Sequence, residues 1–148
     1  MDSRVFVCLI SRGAVGHSTN TRQCFNRLAE TSACDNVLLE HQLALELRAM
    51  GLIEFIYPVF IGEKQSDCSH APFDWGCYGT LPDVVVSSVM EKLTGHLSSQ
   101  ALGIPPEPGR TVMQVVTAFI ANQGIMIEGD DDAHFKAAKS KIVGLCKS

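Results

Sequence analysis

Residues 35–61 constrain the fold more than any other stretch of the chain. A leucine-rich segment from Asp35 to Leu47 runs through Gly51 into Ile53-Glu-Phe-Ile-Tyr-Pro-Val-Phe-Ile61. A polar cap residue, Asp35 or Asn36, and a glycine stop bracket a predicted helix. The continuous apolar run after it reads as a buried strand. A similar run, Arg4-Val-Phe-Val-Cys-Leu-Ile10, comes first in the chain and is closed by Ser11, Arg12 and Gly13. Strand, helix and strand in that order predict a right-handed βαβ unit and a parallel sheet. Pro58 lacks a ladder donor, which places the second strand at an edge, at a bulge or close to its end.

The rest of the chain supplies further elements of the same kind. Gly16 to Ala33 reads as a long polar loop with a turn of helix around Arg22–Ala29, and residues 62–80 as irregular. Leu81-Pro-Asp83 suits the first turn of a helix carrying Val85, Val89, Leu93 and Leu97. Ile104 to Gly109 is a proline-rich linker. Thr111 opens a helix with Val112, Val115, Val116, Phe119 and Ile120, and Gly124 stops it. Ile125–Glu128 is a short strand. Gly129 and Asp130, Asp131 and Asp132 lead into a last helix with the expected buried stripe Phe135, Ala138, Ile142 and Leu145. The predicted fold class is α/β, with about three parallel strands and flanking helices in one domain over residues 1–148.

Composition narrows the function classes. A chain of 148 residues can bury a real core, and 46% hydrophobic with 19% charged residues argues against disorder. Net charge of −4 without a Lys/Arg run argues against a nucleic-acid partner. No apolar run approaches the roughly 18 residues of a membrane span. No basic leader and small-residue cleavage site precede the first apolar run, so a cytoplasmic protein is expected. Six cysteines without a C-x-x-C pair are expected to be reduced thiols.

Several constellations carry chemistry in principle. Glu40 falls near the start of the first helix, roughly 20° round it from Leu47 and roughly 60° from Leu43. With Leu39 and Met50 those leucines form the most apolar arc, while His41, Gln42, Glu46 and Arg48 point elsewhere. Glu40 is therefore expected at the border of the core, where desolvation makes a carboxylate a site candidate. The alternative is an acid that complements the helix dipole. Cys68, His70 and Cys77 offer soft ligands but not the paired spacing of a structural zinc site, so no metal is expected. The aspartate triplet lacks calcium-loop spacing. Cys24, Cys34 and His17 provide a Cys–His combination that nothing orients, and core packing explains such cysteines equally. Gly13 and Gly16 lack the remainder of a dinucleotide or Walker motif. Ser18-Thr19-Asn20-Thr21 could wrap a phosphate, though exposed loops use the same residues.

The segments Arg4–Ser11, Asp35–Leu47 and Ile56-Tyr-Pro-Val-Phe-Ile-Gly62 resemble the third strand, third helix and fourth strand of a TIR domain (Toll/interleukin-1 receptor/resistance protein family). Leu81-Pro-Asp-Val84, the Thr111–Gly124 helix, Gly124-Ile-Met-Ile127 and the final helix resemble the closing portion of that family. The resemblance implies a flavodoxin-like sheet of order 2-1-3-4-5 and a self-associating signalling module of innate immunity. Many members also cleave NAD⁺ to nicotinamide and ADP-ribose or cyclic products. By position, Glu40 corresponds to the family's catalytic glutamate and Ser11 to the serine beside the substrate. NAD⁺ would then be a substrate, with no cofactor. Two departures stand out: Asn36 occupies a position where the family often has an aromatic, and nothing before Ser3 matches the family's first two strands. The resemblance thus covers the C-terminal part only. It implies three contiguous strands, Val5–Ile10 as an exposed apolar edge, and half of the switch-point crevice lacking. Weak or absent NAD⁺ hydrolysis is expected, along with association through that edge with a second copy or another TIR domain.

Overall fold

Alternate residues of the first apolar run turn to opposite sides, as a pleated strand requires. Cys8 and Ile10 are buried whereas Val7 and Leu9 are exposed, in strand β1, Val5–Ser11. The computed structural model describes residues 4–11, 25–67, 69–75, 80–99, 109–122, 124–127, 131–145 and 147. Within them, β1 pairs in parallel with β2, Phe55–Ile61, from Val5 opposite Phe55 to Ser11 opposite Ile61. Strand β2 pairs in turn with β3, Ile125–Ile127, also in parallel. The sheet order is β1-β2-β3, an open all-parallel sheet consistent with part of a flavodoxin-like fold.

Pro58 lies in the central strand, not at an edge. The ladder to β3 begins one residue later, at Val59 opposite Ile125. A Cβ on Gly124 would come within 2.2 Å of the Pro58 carbonyl oxygen, so that carbonyl faces the β3 side. The N–H and C=O of one strand residue point the same way, so the donor that proline lacks falls where no β3 residue is paired.

Helix α1, Asn36–Ala49, follows β1 through a short 3₁₀ turn at Phe25–Arg27. Asp35 caps it, its carboxylate accepting from the Leu38 N–H at 2.9 Å. At the other end Gly51 takes φ 72°, with Gly51 N–H donating to the Arg48 carbonyl and Leu52 N–H to the Leu47 carbonyl, both at 2.9 Å. That pair of bonds is a Schellman stop, which needs a residue free of the Cβ penalty.

The buried side of α1 differs from the expected arc. Leu38, Leu39, His41, Gln42, Ala44, Leu45 and Glu46 are inside, while Glu40 is exposed. Glu40 lies about 160° round the helix from Leu38, at 100° per residue. Leucines at 38, 39, 43, 45 and 47 surround the helix, so periodicity does not select a face. Three polar residues go inside because each finds a partner: His41 with Cys8, Gln42 Nε2 with Met90 Sδ, and Glu46 with Arg110.

Helix α2 is Ser87–Ser99, starting later than the proline signal suggests. Residues 81–86 stay non-helical, and their carbonyls serve a neighbour instead: Val84 and Pro82 accept from the N–H groups of Val112 and Met113. Those are orphan donors in the first turn of helix α3, Val112–Ile120. Thr111 and Gln114 complete a capping box there. The Ile120 side chain is partly outside, unlike Val112, Val115, Val116 and Phe119.

Helices α1, α2 and α3 cover one face of the sheet. Their core includes Ile10, Phe25, Leu38, Leu93, Val115 and Phe119. Helix α4, Asp131–Leu145, lies on the other face against Tyr57, Val59 and Ile127. Of its expected stripe, Ala138 is buried and Ile142 and Leu145 partly so, but Phe135 is 47% exposed. The outer edge of β1 has no described strand beside it, so no described strand extends the sheet past Phe135. Among the described residues, no helix is long and apolar enough to cross a membrane.

Candidate functional site

The sequence-derived candidates gather along β1. Ser11 ends the strand, half-buried, opposite Ile61. Glu40 projects from the solvent side of α1, yet its charge reaches Cys8 in the middle of the strand and helps raise that thiol's pKa. A core-border carboxylate was the expectation; an exposed one is the finding.

One polar pair in this region carries no sequence signature. Cys8 Sγ lies 2.8 Å from His41 Nε2, in a buried setting. His41 is packed between Phe119, 4.2 Å between ring centroids, and Phe25, 6.2 Å away. Burial, and secondarily Glu40, push the Cys8 thiol up to about 12. Burial pulls His41 down to about 4. Both groups are therefore neutral near pH 7 and share one hydrogen bond between Sγ and Nε2. His41 Nδ1 is buried without a hydrogen-bond partner among the described residues. A cysteine nucleophile needs a thiolate stabilised by a nearby cation, and this pair is the reverse. Its role is packing. The local signal was Cys8 at an inward position of the alternating strand; the histidine could be matched to it only in three dimensions.

On the opposite face of β1 the chemistry is apolar. Val7 and Leu9, 37% and 63% exposed, line a groove with Phe135, Ile142 and Val143 of α4, and Lys139 at its rim. The groove holds about 230 Å³. It continues the free edge of β1, whose outward backbone groups meet no strand among the described residues.

Beyond the carboxyl end of β2, Gly62 lets the chain fold back: a Cβ there would sit 1.5 Å from the Ala71 carbonyl oxygen. An antiparallel bridge joins Lys64 to His70, and Asp67 accepts from the Ser69 hydroxyl and N–H at 2.6 and 3.0 Å. Those bonds lower the Asp67 pKa. Phe73 and Trp75 close on Phe60, with ring centroids 4.8–5.4 Å apart.

Other candidates lie outside the described residues: Gly13, Gly16, His17, Ser18 to Thr21, Cys24, Cys68, Cys77 and Asp130. Among the described residues no group of three or more His, Cys, Asp or Glu side chains could hold a metal, and Cys8 and Cys34 are free thiols. No family model matches the chain, and neither a curated protein nor a solved structure matches it.

Proposed function

We propose that the chain is a TIR-type association module, carrying a signal by packing against a second copy or a related domain. One observation carries this reading: the seven-residue strand β1 ends the sheet with Val7 and Leu9 exposed beside an apolar groove. A long, flat, apolar edge invites pairing with another strand, and soluble proteins usually blunt such edges with charge or proline. Strand β1 has neither between Val5 and Ser11. The TIR resemblance supports the same reading, because it makes this the strand that has a further neighbour in the family.

The enzymatic alternative, NAD⁺ cleavage with Glu40 stabilising the oxocarbenium-like ribose and Ser11 beside the substrate, is less well supported. Carboxylates do this work in glycoside chemistry from sites that exclude water. Glu40 stands in solvent.

Sedimentation velocity over a wide concentration range tests the first reading. The wild-type chain is expected to associate reversibly, and Leu9→Lys to stay monomeric with an unchanged circular dichroism spectrum. A wild type that remains a monomer throughout would remove the proposal. Incubation with NAD⁺ is expected to release little or no nicotinamide; clear turnover that disappears in Glu40→Ala would replace association by catalysis.

A further inference from the structure

No described strand lies along the outer edge of β1, and the strand's own hydrogen bonds fix which backbone groups point there. The Phe55 N–H donates to the Arg4 carbonyl, although Val5 is the residue that stands opposite Phe55. Backbone groups of successive strand residues point alternately to the two sides. Phe6, Cys8 and Ile10 therefore turn theirs toward β2, while Val5, Val7 and Leu9 turn theirs outward. Val7 and Leu9 are also the exposed apolar side chains of the strand.

This pattern restricts how a second copy can add to the sheet. In a parallel pair, a residue that bonds across the gap stands opposite one that does not, as Phe55 and Val5 show. A two-fold axis along the strands would set outward residue against outward residue, so it cannot build a parallel pair. Dimers of one chain are mostly two-fold symmetric, which disfavours that arrangement. An antiparallel pair meets no such conflict. With the axis normal to the sheet, outward residues of the two copies face each other, and each facing pair exchanges two N–H···O bonds. Overlap is complete when the axis passes through Cys8, the middle residue of Val5–Ser11. Val7 then stands opposite Leu9 of the second copy, apolar against apolar. No charged residue occurs between Val5 and Ser11, so the ladder brings no like charges together.

We propose that β1 pairs antiparallel with β1 of a second copy about a two-fold axis at Cys8, joining two three-stranded sheets into one of six strands. The proposal rests on the association reading above and specifies its geometry. Helices α1, α2 and α3 of both copies then lie on one side of the joined sheet, and α4 of both on the other.

A mixture of ¹³C,¹⁵N-labelled and unlabelled chain, at a concentration where sedimentation shows association, tests this register. Isotope-filtered NOEs are expected between Phe6 Hα of one copy and Ile10 Hα of the other, a pair that stands close without hydrogen bonds between its members. Amide exchange at Val7 and Leu9 is expected to slow at least about tenfold as the concentration rises, while Phe6 and Cys8, already bonded to β2, stay unchanged. Leu9→Pro removes an outward donor, which an edge strand tolerates. It is expected to weaken association at least about tenfold, because symmetry deletes the bond twice. Val7→Pro gives a second reading if the first variant folds poorly. Association with NOEs from Phe6 to Cys8 instead, with unchanged exchange at Val7 and Leu9, or with full strength in both proline variants would each overturn this geometry and leave the association reading standing. A chain that stays monomeric throughout would overturn both.

Discussion

The two faces of the sheet are finished to different degrees. Under α1, α2 and α3, polar groups that go inside are mostly paired: Asp35 caps a helix, Gln42 meets Met90, and Glu46 bonds Arg110 at 3.2 Å. On the α4 face, among the described residues, one helix lies against the sheet, Val7, Leu9, Phe135 and Val143 stay exposed, and the Tyr57 hydroxyl has no hydrogen-bond partner. The first face is built for stability. The second spends less of its surface on the fold, which is why the association proposal rests there.

The largest expected effect tests the closed face. Phe119 is 1% exposed and touches both Phe6 and His41 in ring contacts. Phe119→Ala should cost about 3–5 kcal/mol in urea unfolding, as large aromatic truncations in cores do. A loss near zero would mean that this face is not the core.

Acid sharpens the comparison next. His41 has its folded pKa lowered to about 4 from 6.5, so between those values the unfolded chain binds the extra proton. Stability should therefore be complete above pH 6.5 and fall as the pH drops toward 4, by about 3 kcal/mol at 1.36 kcal/mol per pKa unit. Unfolding free energies of His41→Phe over the same range should lack that slope. If the slope persists, another group drives it.

The smallest effect is expected on the open face. Phe135→Ser, in a side chain 47% exposed, should change stability by less than about 1 kcal/mol, since little area returns to water. A much larger loss would show the α4 face to be as closed as its opposite.

The α/β class and its three parallel strands were legible from short apolar runs, because fully buried strands need no alternation to be seen. Caps and stops were legible too: Asp35, Thr111 and Gly51 act as their residue types suggest. The face of α1 was not. Leucines all round the helix left the choice to tertiary partners, and Cys8, Met90 and Arg110 turned His41, Gln42 and Glu46 inward and Glu40 outward. Pro58 misled for a related reason, since whether a missing donor matters depends on where the next strand begins.

The chain has a single tryptophan, and Trp75 sits against Phe60 and Phe73 just beyond the carboxyl end of β2. Its indole is partly wet, so its emission colour responds to whatever settles nearby. A dinucleotide entering at that end of the sheet would alter this light, whereas a change confined to the far end would leave it untouched. The molecule thus carries an intrinsic optical marker that tells its two ends apart without any label.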